Sequence, residues 1–237
     1  MIGKNLLSLN LSRNRFMDLG ILQYLTSLKE LNLSYNYLDA AQLEHLSNLK
    51  NLEILDISHN HLKEQRVIDI IEYLNRLRIL IINMNDYSRI IFTRYSPSLQ
   101  QLYIDGNGLS YLEFQKPKSA LGFISIISNN LKEIVGINNL ESLEHLNCGH
   151  NSLINLDFIR NSENLRMLNA ENNELLSFVI TQFESIEILN LSCNNLSSLD
   201  FLVSCPHIKS LTFSGNKLCS FPKFRNIFPS LVFLDIS

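Results

Sequence analysis

Residues 28–38 read LKELNLSYNYL, and residues 52–62 read LEILDISHNHL. In both, Leu or Ile stands at the first, fourth, sixth and eleventh places and Asn at the ninth. The pattern Leu-x-x-Leu-x-Leu-x-x-Asn-x-Leu, with Ile, Cys, Ala, Phe or Tyr sometimes replacing Leu, occurs ten times. The copies start at 6, 28, 52, 77, 99, 121, 143, 165, 186 and 208, and a truncated eleventh starts at 231. A repeat of about 22 residues marks a solenoid, in which each unit buries its apolar face against the next. The fourth-to-sixth stretch alternates as a short strand does, with Leu inward and its neighbours outward.

Each repeat type carries one polar residue at a fixed place: Asn14, Asn36, Asn60, Asn85, Asn107, Asn129, Asn151, Asn173, Asn194 and Asn216. This Asn falls where the chain leaves the strand. A bend there strands backbone groups, and a side-chain amide inside the turn can bond them. After the Asn, apolar residues return about every third position, as in Phe16, Leu19, Leu22 and Leu25. That spacing predicts a tight 3₁₀-like return path. The third and fourth copies depart from it, since 65–77 and 87–99 are longer or more polar; Val67, Ile70, Ile71 and Leu74 have helical spacing, and further on 114–119 (FQKPKS) predicts an irregular loop.

In these motifs the chain resembles the leucine-rich-repeat family, specifically the short 22-residue class that includes the leucine-rich regulatory subunit of protein phosphatase 1 and bacterial internalins. The resemblance spans essentially all 237 residues and implies an α/β solenoid: a horseshoe with a parallel β-sheet on its concave face and 3₁₀, short-helical or irregular convex segments. It also implies a single domain over 1–237 that binds a partner polypeptide.

Composition agrees. The chain is 46% hydrophobic with net charge −3, and it has no block of like charges and no apolar stretch long enough to cross a membrane. Neither nucleic acid nor membrane is an expected partner, since both call for clustered Lys and Arg. Residues 1–16 do not read as a signal peptide, because Arg13 and Arg15 interrupt the apolar stretch one requires. Cys148, Cys193, Cys205 and Cys219 are scattered rather than clustered as in an extracellular cap, so an intracellular location is expected. At the end of the chain, Leu231, Leu234 and Ile236 predict an apolar edge. They lead to the expectation of a segment of a longer protein, or of end-to-end self-association.

Nothing in the sequence points to catalysis, a metal or a cofactor. His59 and His61 flank Asn60 without a thiol or carboxylate partner in view, and are expected to face solvent. Asp105-Gly106-Asn107-Gly108 resembles the start of a calcium loop, but its Asn belongs to the ladder and no downstream Glu follows at the required spacing.

The third, fifth and seventh places of each repeat point out of the sheet. Ile54, Ile79, Ile81, Tyr103, Phe123 and Ile127 therefore predict an apolar patch on adjacent strands, extended toward the N-terminus by Tyr35. The later repeats are polar there, and their outward Asn147 is expected to contribute little to stability. The expected function is a non-catalytic scaffold that binds another protein or peptide on its concave face. Two alternatives are an internalin-type secreted or surface adhesion or effector protein and a phosphatase regulatory subunit, though the chain lacks the Trp found on the contact face of the phosphatase regulator.

Overall fold

The computed structural model describes residues 5–94, 96–116, 120–160, 162–177, 184–198, 205–219 and 228–237. Among them, eleven three-residue strands form one parallel sheet, running from Ser8–Asn10 at one edge to Phe233–Asp235 at the other. The strands are in register. Leu9, Leu31, Leu55, Leu80, Leu102, Ile124, Leu146, Leu168, Leu189, Leu211 and Leu234 pair in line across it. The first, fourth and sixth places face inward. Their side chains join those of the return segments in one continuous buried cluster from Leu19 to Phe213.

Asn151 shows how each turn is closed. Its Nδ2 donates to the carbonyls of Cys148 (3.2 Å) and Gly149 (3.1 Å) in its own turn, and to that of Ile126 (2.9 Å) in the preceding repeat. Its Oδ1 accepts from the N–H of Leu131, also in the preceding repeat, at 3.0 Å. Asn60, Asn85, Asn129, Asn173, Asn194 and Asn216 repeat this fourfold set. Asn36 and Asn107 keep the donor bonds, but their buried Oδ1 atoms have no partner. Among the described residues, Asn14, in the first repeat, bonds only the carbonyls of its own turn.

The residue before each ladder Asn is left-handed. Arg13, Tyr35, His59, Met84, Ser128, His150, Asn172 and Cys193 have φ between 52° and 59°, and Gly106 and Gly215 complete the series at 64° and 66°. This conformation costs a residue with a Cβ roughly 1–2 kcal/mol. It turns the chain off the strand while its N–H reaches the next repeat, as in Tyr35 N–H to the Ser58 carbonyl (3.0 Å) and His59 N–H to the Asn83 carbonyl (2.9 Å).

The return path is 3₁₀ at Gly20–Tyr24, Gln42–Asn48, Ile137–Asn139 and Asp157–Ile159. It is α-helical at Gln65–Ile71, where Val67, Ile68 and Ile71 are buried. In the fourth and fifth repeats it is neither. Arg89–Phe92 and Tyr111–Phe114 form a second parallel pair of strands, with the rings of Phe92 and Phe114 stacked at 5.2 Å. The loop expected from 114 onward is corrected at its first residue. Phe114 closes the alternating run Tyr-Leu-Glu-Phe, whose Leu112 and Phe114 are buried, and 117–119 lie outside the described residues. Two polar side chains join the helix to this insertion. Gln65 exchanges bonds with the Ile91 backbone at 2.7 and 3.0 Å, and the buried Glu72 carboxylate accepts from the backbone N–H groups of Thr93 and Arg94.

Two stability measurements test this description. Asn151→Leu strands the Leu131 N–H and takes one donor from each of three carbonyls, which keep a second from Asn129, Asn173 or Ser128, so urea unfolding should show a loss of about 1–3 kcal/mol. A loss below ~1 kcal/mol would mean that the ladder does not close the turn. Tyr87 is fully buried with its hydroxyl unpartnered, and burial holds that hydroxyl protonated well above the usual phenol range. Tyr87→Phe should therefore melt at the wild-type temperature or slightly higher. A drop of more than about 1 kcal/mol would reveal a partner for the hydroxyl.

Candidate functional site

The outward face of the sheet has three parallel zones. Along one rim, the second places at 29, 53 and 78, and again at 144, 166, 187 and 209, alternate in charge. Lys29 pairs with Glu53 at 3.0 Å, Glu53 lies 3.9 Å from Arg78, and Lys209 pairs with Glu187 at 2.6 Å. Hydrogen bonding from Lys29 holds the Glu53 carboxyl below its ordinary range. Along the opposite rim runs the left-handed column. The third and fifth places lie between the two rims.

In the central zone Ile54 stands beside Ile79, and Ile81 beside Tyr103, on directly paired strands. Phe123 leans across to Tyr103 with ring centroids 5.0 Å apart, and His145 follows at 6.2 Å. Ile127 sits where its strand turns. All six side chains are half-buried, and Ile54, Ile79, Ile81, Tyr103 and Phe123 stand side by side on neighbouring strands. Tyr35 is not among them. It occupies the eighth place of its repeat, on the left-handed rim, with its ring stacked on that of His59.

The fifth place also has a structural task that the sequence reading overlooked. Asn10, Asn32, Asp56, Asn169, Asn190 and Asp235 each accept the backbone N–H two residues on, at 2.9–3.1 Å. Asn147 does so more weakly, at 3.4 Å. These are local Asx turns that close the ends of seven of the eleven strands. The expectation that Asn147 contributes little is corrected accordingly: it is half-buried and bonded. The fourth and fifth repeats carry Ile81 and Tyr103 at this place, which cannot accept a hydrogen bond there. The seventh places compensate across the strands: Asn83 Oδ1 accepts from Asp105 N–H (2.7 Å), and Asp105 Oδ1 accepts from Ile127 N–H (2.8 Å) and Ser125 Oγ (2.7 Å). Desolvation raises the Asp105 pKa, with these hydrogen bonds opposing it.

The remaining candidates for chemistry are structural. Asn107, in the middle of the calcium-like stretch, is a ladder Asn. Burial pushes the Cys148 thiol up to about 12 and that of Cys205 to about 11, so neither is a ready nucleophile. Among the described residues no group of three or more His, Cys, Asp or Glu could hold a metal. No helix among them is long and apolar enough to cross a membrane.

A continuous parallel sheet with an asparagine ladder and 3₁₀ returns defines the leucine-rich-repeat class of solenoid. Residues 27–49 and 51–74 match the family model described as Leucine Rich Repeat, and the chain has the leucine-rich-repeat fold. A comparison with curated proteins finds no match. Among solved structures, the leucine-rich repeat domain of LRIM1 is similar at TM-score 0.73 and 22% identity, covering 91% of this chain and 68% of that one. LRIM1 is also solved in a complex with APL1C. TLR13, solved in a complex with ssRNA13, gives TM-score 0.81 at 22% identity, over 98% of this chain and 36% of that one. YopM from Yersinia enterocolitica gives 0.69 at 25% identity, over 97% and 51%. The chain thus spans about half of YopM and about a third of TLR13.

The environment of Asp105 sets a pH test. Its folded pKa is raised, so ionisation costs more in the folded state, and stability is lost as pH rises from the ordinary carboxylate range through the raised folded value. Asp105→Asn keeps the acceptor and removes that cost. At pH 7 the variant should melt at or above the wild type, with the gap closing below the usual carboxylate range. A wild type that melts higher at pH 7 would show that its environment favours the carboxylate.

Proposed function

We propose that this chain is a non-catalytic scaffold that grips a partner polypeptide with the apolar patch on the outer face of its sheet. The observation that carries this reading is the exchange at the fifth place. Seven repeats put Asn or Asp there to cap their own strand ends. Of the other four, the sixth and tenth carry Ser125 and Thr212, and the adjacent fourth and fifth carry the apolar or aromatic Ile81 and Tyr103, half-exposed and beside Ile79 and Phe123. A locally favourable residue replaced by an apolar one on the surface is what a binding site demands and the fold alone does not. Tyr and Phe clustered near the centre of such a face suit the anchors of an interface. The LRIM1–APL1C complex supports a protein partner for a solenoid of this shape. An intracellular setting accords with four free thiols, the state a reducing compartment maintains.

The exchange also supplies the test. Ile81→Asn and Tyr103→Asn return the caps, so combined with Phe123→Ser they should leave the circular dichroism unchanged and the melting temperature equal or higher. Binding to a partner recovered by affinity purification with the wild-type chain should fall about 100-fold or more. Undiminished affinity in this well-folded variant would remove the patch from the binding surface.

A further inference from the structure

The left-handed rim of the first four repeats is built differently from the rest. Arg13, Tyr35, His59 and Met84 occupy successive eighth places, and Arg15, Tyr37, His61 and Asp86 successive tenth places. Each set is a stacked column. The Arg13 guanidinium lies 4.5 Å from the centre of the Tyr35 ring, which stacks on His59 at 3.9 Å and 11°. Arg15 lies 5.8 Å over Tyr37, which stacks on His61 at 5.9 Å, and His61 Nδ1 meets Asp86 Oδ2 at 3.2 Å. The two columns, with the ladder residues Asn14, Asn36, Asn60 and Asn85, line one open groove of about 690 Å³. Strands about 4.8 Å apart make the groove roughly 15 Å long, the span of four or five extended residues.

Its charge is polarised. Arg66, Arg78, Arg160 and Arg166 each face a carboxylate, but among the described residues neither Arg13 nor Arg15 does. Both guanidinium groups lie over tyrosine rings, at 4.5 and 5.8 Å, a contact compatible with the forked hydrogen bonds that a carboxylate accepts. The one acid lining the groove, Asp86, stands at the opposite end beside His61.

We propose that this groove binds an extended acidic peptide segment whose carboxylates sit between Arg13 and Arg15, at a site separate from the apolar patch. The stacking favours a peptide over a single-stranded nucleic acid. Bases bind aromatic platforms through a free ring face, and here the faces of Tyr35 are taken by Arg13 and His59, while Tyr37 lies between Arg15 and His61 at 5.8 and 5.9 Å. What the columns present to the groove is ring edges, hydroxyls and guanidinium forks.

The test pans a phage-displayed library of random ten-residue peptides on the intact chain, then measures one selected peptide by fluorescence anisotropy. Selected peptides should be enriched in paired Asp or Glu. The Arg13→Gln/Arg15→Gln variant, which changes only exposed side chains, should lose at least tenfold in affinity. Arg13→Lys/Arg15→Lys, which keeps the charge without the fork, should lose about threefold, and Ile81→Asn/Tyr103→Asn/Phe123→Ser less than twofold. Peptides without acidic enrichment, or unchanged affinity in the Gln variant, would overturn the proposal. So would an oligouridylate decamer that displaces the peptide and binds more tightly through the same arginines. Loss confined to the Ile81/Tyr103/Phe123 variant would place the peptide on the apolar patch, refuting this site while supporting the other.

Discussion

Every other feature depends on the asparagine amide inside each turn. A strand of three residues has too few ladder bonds to hold its own shape, and the bend that follows would bury carbonyls without partners. The ladder Asn answers both problems with one side chain. Because two of its four bonds cross to the preceding repeat, as at Asn151 with Ile126 and Leu131, it ties repeats together at the point where each would otherwise come apart. Hydrophobic burial supplies most of the stabilisation but has no direction; the amides give the stack its register.

The turn so closed imposes a backbone that most residues resist. Ten successive eighth places are left-handed, and only two of them are Gly. The side chains at the others then project in a column, one per repeat and one strand spacing apart, which is the distance at which flat groups stack. Tyr35 on His59 and Arg13 on Tyr35 follow from that geometry, as does the hydrogen bond between His150 and Asn172 at 2.6 Å. A costly conformation thereby becomes a regular surface on which a ligand-sized feature can be written.

The sequence disclosed the sheet, its register and the ladder because each rests on a residue type repeated at fixed spacing. It disclosed the helix at Gln65–Ile71 for the same reason. It concealed whatever depends on contact between repeats. The fifth-place Asn residues read as solvent-facing because an Asx turn leaves no periodicity distinct from ordinary surface polarity. The Arg89–Phe92 and Tyr111–Phe114 strands were hidden because each is a four-residue run paired chiefly with the other, with one further bridge from Glu113 to Val135. Tyr35 was placed with the apolar patch on its residue type, although its eighth place puts it on the rim. The six-residue patch itself was legible, since the period-two alternation of a strand decides which side chains face outward.

The ladder also has a direction. Each Asn satisfies groups in the repeat before it, so a repeat acquires its full set of bonds only from the one that follows. During synthesis the N-terminal repeats emerge first, and each waits for the next Asn to clear the ribosome. At 5–20 residues per second, a repeat of about 22 residues sets a lag of roughly 1–4 seconds. The newest turn in the growing chain is always the incomplete one, and folding advances as a front one repeat behind translation.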